Sequence, residues 1–276
     1  MASRLEQEAA IRQYYDSTVE EEDSRLEAYP FEFEVTLRFL AKYLDRGARL
    51  LDAACGTGRY ADALLAAGFR VGASDLADAN VRAARQRLSG KSVAGHLEFI
   101  RQGNALDAST YAGGPWEGIL LLGPCYHLPD RQDRVAVLQQ ASAHLAPGGL
   151  LYVSFVSRLA AFWWGLEHRP EGILETESVR TLLTRGTEFN FAKPEDGGLP
   201  NCYFCDPGEL PALFADASLA VHHVCATEGP FGGRVGRFHA MERPVREAWL
   251  QFILHNCEEP TLVWASEHIL VVARKE

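Results

Sequence analysis

The sequence predicts an α/β protein built on a doubly wound, mostly parallel sheet. Three observations predict it. Short apolar runs alternate with stretches of helical period from residue 49 to residue 156. The first run ends in a glycine turn that leads directly into a helix. Two further strand-like runs, 219–226 and 268–273, follow near the C-terminus. Strands that alternate with helices at this spacing form βαβ units, which assemble as parallel strands with helices on both faces.

The bulk composition narrows the function classes. The chain has 276 residues, 47% hydrophobic and 23% charged, with a net charge of -10. This is ordinary globular composition, and the length fits one large domain with an insertion. A negative surface repels a phosphate backbone, so no nucleic-acid partner is expected. No apolar run reaches the roughly 18 residues of a membrane span, and residues 1–13 lack the apolar core of a signal peptide. Six irregularly spaced cysteines read as reduced thiols, which predicts a cytoplasmic protein.

Taken in order, Ser3-Arg4-Leu5-Glu6 has capping-box spacing and predicts a helix that runs past Tyr14 and Tyr15. The acidic run 20–23 reads as a solvated face or turn. Val35, Phe39, Leu40, Tyr43 and Leu44 recur at helical spacing after Pro30. Strands are expected at 50–53, 69–73, 96–101, 119–122 and 150–156, the last entered through Pro147-Gly148-Gly149. Helices are marked by Ala61, Leu64 and Leu65, by Val81, Ala84 and Leu88, and by Val135, Leu138 and Ala141. From 157 to 205 no clean period appears. A helix is expected over 206–216 and another over 245–255. The stretches 157–205 and 229–260 read as insertions at one edge of the sheet that form a lid.

The most informative stretch is Asp52-Ala53-Ala54-Cys55-Gly56-Thr57-Gly58-Arg59, where a strand passes through a Gly-x-Gly turn into a helix. Glycine lets backbone approach a ligand closely, and a helix N-terminus offers free amides. Gly56-x-Gly58-x-x-Ala61 also satisfies the dinucleotide fingerprint, and Asp75 suits a ribose hydroxyl under either reading. Asp52 separates the two. A pyrophosphate beside it meets repulsion of about 1–4 kcal/mol at ~4 Å, whereas a ligand with ammonium and sulfonium groups is attracted. The acid therefore favours S-adenosylmethionine over a nicotinamide dinucleotide.

These residues resemble the first motif of the class I S-adenosylmethionine-dependent methyltransferase superfamily, with Ala54 in place of its first glycine. Asp75 matches the family's ribose acid. Gly103-Asn104-Ala105 matches the Gly-Asp-Ala beside the adenine, with Asn104 for Asp, and Pro147-Gly148-Gly149 is also typical of the family. The resemblance covers residues 45–156 strongly and 219–226 and 268–273 weakly. It implies a Rossmann-like sheet of seven strands with the last antiparallel, S-adenosyl-L-methionine as cofactor, and methyl transfer to a small-molecule acceptor. On this basis the chain divides into an N-terminal helical addition (1–45), a cofactor-binding core (46–156), a lid and acceptor insertion (157–205) and a C-terminal sheet edge with a helical insertion (206–276), all in one domain.

The resemblance implies cofactor contacts at Asp52, Ala53, Ala54, Gly56, Gly58, Asp75, Leu76, Asn104, Ala105, Leu122 and Gly123. Tyr14, Tyr15 and Arg59 are candidates for the methionine carboxylate. His127 follows the fourth strand and is the candidate base or acceptor orienter; otherwise it shapes the loop by bonding the backbone. Gly123-Pro124-Cys125-Tyr126 resembles the Asn/Asp-Pro-Pro-Tyr motif of nucleic-acid amine methyltransferases, but Gly123 lacks the side chain that holds the amine. Cys202 and Cys205 have half the spacing of a zinc site without a second matching pair, so no metal is expected. Phe162-Trp163-Trp164 and Phe189-Asn190-Phe191 read as core, or else as acceptor contacts. Two other readings stay open: a nicotinamide-dependent oxidoreductase, and a non-catalytic module that binds S-adenosylmethionine.

Overall fold

Apolar residues alternate between two faces along each strand, and that pattern sets the architecture. Leu51, Ile119, Leu121, Leu151, Val153, Ile269 and Val271 enter one core; Leu50, Leu120, Leu150, Tyr152, Leu270 and Val272 enter the other. Two buried faces require two helical layers. The computed structural model describes residues 4–28, 30–89, 95–187, 200 and 202–275.

Three helices come first: α1 (Arg4–Ser17), α2 (Val19–Ala28) and α3 (Pro30–Tyr43). Then β1 (Arg49–Asp52), α4 (Arg59–Ala67), β2 (Arg70–Asp75), α5 (Asp78–Leu88), β3 (His96–Gln102), β4 (Trp116–Leu121), α6 (Arg131–His144) and β5 (Leu145–Ser157) alternate as expected. Short α7 (Arg158–His168) and α8 (Thr176–Arg185) precede β6 (Phe204–Cys205), α9 (Leu210–Ala215) and β7 (Leu219–Ala226). The chain closes with α10 (Val235–His239), α11 (Arg243–Asn256), α12 (Pro260–Trp264) and β8 (His268–Lys275).

The strand order is β3-β2-β1-β4-β5-β8-β7, with β6 paired beside the end of β5. The first five strands run parallel, and β8 is antiparallel to both β5 and β7. This is the Rossmann-like sheet with its last strand reversed. Helices α3, α4, α5 and α11 cover one face, and α6, α9 and α12 the other. The order reverses between β1 and β4, and sheets of this kind bind ligands at the carboxyl ends of strands at such a switch.

Several expectations are corrected. The acidic run 20–23 lies inside α2, not in a turn; Glu20 and Glu21 form the solvated face expected of it, but Asp23 pairs with Arg87 on α5 and accepts from Thr57 at 2.6 Å, which gives that helix a polar docking face. Pro147-Gly148-Gly149 does not precede β5 but bulges within it, since Trp116 pairs with Leu145 and Gly118 with Leu150. The 157–205 stretch enters at the carboxyl end of β5, where Val156 pairs with Phe204, and not at an outer edge. The 229–260 stretch is no lid: Phe231 and Phe238 pack on Phe31 of α3, and Ile253 and Cys257 join the same core. Its apolar residues are too few for a core of their own but complete one begun by α3. Ser3 and the Phe189-Asn190-Phe191 cluster lie outside the described residues.

Candidate active site

The carboxyl ends of β1 to β4 open onto one cleft, with about 1280 Å³ of empty space, part of it open to solvent. Its floor comes from the strand ends: Ala53, Ala54 and Gly56 after β1, Asp75 and Leu76 at the end of β2, Asn104 and Ala105 after β3, and Leu122, Gly123 and His127 after β4. Arg59 at the start of α4 lines one end. The roof is α1, through Glu8, Ile11 and Tyr15, together with Glu32 of α3. Polar contacts fix α1 there: Tyr15 to His127, Glu8 to Asn104, and the Ala79 amide donating to Asp16 at 2.8 Å.

The glycine turn is organised by Asp75. The Gly56 amide donates to Asp75 Oδ2 at 2.9 Å, and Ala77 N–H and Asn80 Nδ2 donate to Oδ1. Burial pushes the Asp75 carboxyl up, and these donors oppose it. Gly56 has φ 51°, and the position of a side chain on it is open space facing the cleft. Glycine here therefore answers the backbone conformation and the ligand surface.

Asp52 is not where the electrostatic argument put it. It is 1% exposed and does not line the cleft. Neither carboxylate oxygen completes a hydrogen bond. Burial, reinforced by the Asp75 charge, pushes Asp52 up to about 7, and the nearby Ala54 amide only partly opposes this. Its influence on a cation acts through the cleft wall. Gly58 is also displaced from the ligand: at φ 84°, a side chain there meets the Ala84 Cβ at 3.1 Å, so it serves the close approach of α4 and α5. Tyr14 does not line the cleft and packs edge-on against Tyr15.

Two carboxylates in the cleft escaped sequence reasoning. Glu32 shares the Arg59 end of the cleft and accepts from Ser154 at 2.6 Å. Burial and the Glu32 charge push the Tyr60 phenol up while the Arg59 charge opposes, so both charges bear on this end. Glu8 also lines the cleft and lies beside Asn104. An acid in the first turn of a helix, as Glu32 is, or one turn further in, as Glu8 is, is ordinary helix composition and carries no motif.

His127 is buried, and both of its ring nitrogens meet polar groups. Its Nδ1 lies 3.1 Å from the Pro200 carbonyl and its Nε2 lies 2.7 Å from the Tyr15 hydroxyl. A carbonyl only accepts, so Nδ1 donates to Pro200; when the ring is neutral, Nε2 then accepts from the Tyr15 hydroxyl. Burial pushes the Cys125 thiol up to about 12 and raises Cys55 as well, which fits inert fillers. Cys205 is buried, and among the described residues neither it nor Cys202 joins a group of three possible metal ligands. His223 is committed to Glu258 at 2.7 Å and to Tyr43.

Among the described residues of 157–205 none lines the cleft itself; the Pro200 carbonyl bonds His127, and the Tyr203 amide donates to the Tyr126 carbonyl at 2.7 Å. Trp163 lies against the backbone of Gly232 and Gly233, and Phe162 and Trp164 pack around Val156, Leu182 and Phe204. These aromatics are packing groups.

The cleft suits S-adenosylmethionine on its own features. Ile11, Leu76, Ala105 and Leu106 give the cleft an apolar lining suited to a flat base. Asp75 lines the same cleft with a carboxylate suited to ribose hydroxyls, and Arg59 and Glu32 bring opposite charges suited to a zwitterionic amino acid.

The model of a family described as a methyltransferase domain matches residues 26–224. A ubiquinone biosynthesis O-methyltransferase of Xylella fastidiosa is 34% identical over 195 residues, 69% of this chain and 68% of its own length. The enzyme of the same name from Xanthomonas oryzae is 28% identical over 191 residues, 69% and 70% of the two chains. Among solved structures, a methyltransferase from Methanosarcina mazei aligns with TM-score 0.58 at 17% identity, over 86% of this chain and 96% of its own. The N-methyltransferase NodS of Bradyrhizobium japonicum, solved with S-adenosyl-L-homocysteine, aligns with TM-score 0.57 at 15% identity, over 96% and 98%. Glycine turn, ribose acid, sheet order and family match converge, and the chain belongs to this methyltransferase family as a class I S-adenosylmethionine-dependent methyltransferase.

Proposed function

We propose that the protein methylates a hydroxyl of a small aromatic acceptor, with Tyr15 and His127 removing its proton. The observation that carries this is the hydrogen-bonded chain Tyr15–His127–Pro200 at the cleft. The two relatives named above are O-methyltransferases, which supports oxygen as the methylated atom. S-adenosylmethionine, when bound, supplies a methyl group open to in-line displacement.

The chain's own groups have four tasks. Asp75 holds ribose hydroxyls, while Arg59 takes the donor carboxylate and Glu32 its ammonium. Arg59 is held over the Phe33 ring at 4.2 Å, which limits its freedom before any ligand arrives. Tyr15 accepts the acceptor's proton as its own passes to His127 Nε2; the Pro200 carbonyl keeps Nδ1–H in place and steadies the imidazolium. Helices α1 and α3 exclude water, so aligned reactants meet without competing hydrolysis.

Among the described residues no helix is long and apolar enough to cross a membrane. The six cysteines are all free, which supports a reducing, cytoplasmic setting.

The test uses catechol-type and simple phenol acceptors, with S-adenosylhomocysteine formation as readout. His127→Gln and Tyr15→Phe should each lower kcat by about 10²–10⁴-fold, the range of general-base catalysis, with donor Kd nearly unchanged. Wild-type rates in both variants would remove the proposed base.

A further inference from the structure

Among the residues that line the cleft, Asn104 and Glu8 form a polar rim beside apolar neighbours. Ile11, Leu76, Ala105 and Leu106 make the apolar walls, and Asn104 and Glu8 make the rim. The Asn104 oxygen accepts from the Leu106 amide at 2.9 Å, and its Nδ2 donates to Glu8 Oε2 at 2.9 Å. The loop that carries Asn104 is clamped from below. Thr110 Oγ1 donates to the Asn104 carbonyl at 2.6 Å, and the buried Tyr111 hydroxyl donates to the Ala105 carbonyl at 2.7 Å. Asn104 is thus fixed with its amide turned toward α1.

Glu8 completes the arrangement. Its other oxygen takes Arg12 at 2.7 Å. An ionised carboxylate offers about four lone-pair positions, of which Asn104 and Arg12 use two. The rim therefore presents an anionic acceptor next to a slot for a flat ring. The Asn104 oxygen, which accepts from Leu106, is the weaker acceptor there because it carries no charge.

We propose that Glu8 recognises the exocyclic amine of the donor's purine, and that Asn104 is the positioning residue that holds Glu8 in place. The inference rests on the S-adenosylmethionine assignment and deepens it. It moves recognition of the base from the sheet to the roof. Because Tyr15 lies on the same helix, docking of α1 sets both the base-reading carboxylate and the proton-accepting pair at once.

The experiment is calorimetric binding of S-adenosylhomocysteine and of its analogue with hydrogen in place of the purine 6-amino group. The wild type should prefer the amino form by about tenfold or more, the scale of a hydrogen bond to a charged group. In Glu8→Gln the ratio should fall to about threefold or less. Glu8→Asp, which keeps the charge but withdraws it by one methylene, should also lower the ratio and guards against a loss of folding in the first variant. The exchange Glu8→Gln with Asn104→Asp returns a carboxylate to the rim and should restore the preference. An unchanged ratio in Glu8→Gln and Glu8→Asp, or equal binding of both ligands by the wild type, overturns the proposal alone. Failure of the wild type to bind S-adenosylhomocysteine at all overturns the donor assignment, and this inference with it.

Discussion

Asp52 carries an electrostatic cost that a single substitution exposes. Its folded-state carboxyl stands at about 7 against an ordinary 3.8, chiefly through burial. Between those values the folded form binds more protons than the unfolded one, so stability falls as pH rises through the window and levels off above about 7. The full effect is on the order of 4 kcal/mol at most. Asp52→Asn removes it. Urea unfolding of both proteins from pH 5 to pH 8 should show the variant's relative stability growing with pH and then becoming constant; a difference that shrinks with pH contradicts this account. Asp75 is shifted the same way and is present in both proteins, so it cancels from the difference. A bound cation favours the ionised Asp52, so S-adenosylmethionine affinity in the wild type should rise as pH increases through 7, and Asp52→Asn should lose that rise.

At the scale of elements, the two glycines of the turn have separate jobs. Gly56 faces the cleft, whereas Gly58 lets α4 pack on α5. Gly58→Ala combines a positive φ with a 3.1 Å approach to Ala84 and should destabilise the protein by about 1–3 kcal/mol, read by thermal or urea unfolding. The turn motif was legible in the sequence, but this division of labour was not, because Ala84 lies 26 residues further on. The strands β1 to β5 were legible as apolar runs, since burial on both faces leaves them few polar residues. Helix α2 was hidden by its acids, whose partners Arg87 and Thr57 are distant in sequence. Strand β6, with two residues, is too short to show a period.

For the whole molecule, the donor should act as a stabiliser. At a hundred times its Kd, S-adenosylhomocysteine adds about 2.7 kcal/mol, which for a chain of this size raises Tm by roughly 5–10 °C. Nicotinamide dinucleotide at the same concentration should leave Tm unchanged in the same thermal-shift assay; the reverse outcome contradicts the cofactor assignment. By itself the sequence determined the parallel core and the glycine turn with Asp75 behind it, which rest on local periodicity and on residues within one βαβ unit, and the cofactor class through the family resemblance of its motifs rather than through the Asp52 charge. Tertiary structure alone decided which helices roof the cleft, that Glu8 and Glu32 supply its acids, that Tyr15 meets His127, and that Asp52 stands behind the wall. Those facts depend on contacts such as Tyr15 to His127, 112 residues apart, and local sequence does not encode pairings between segments so far separated.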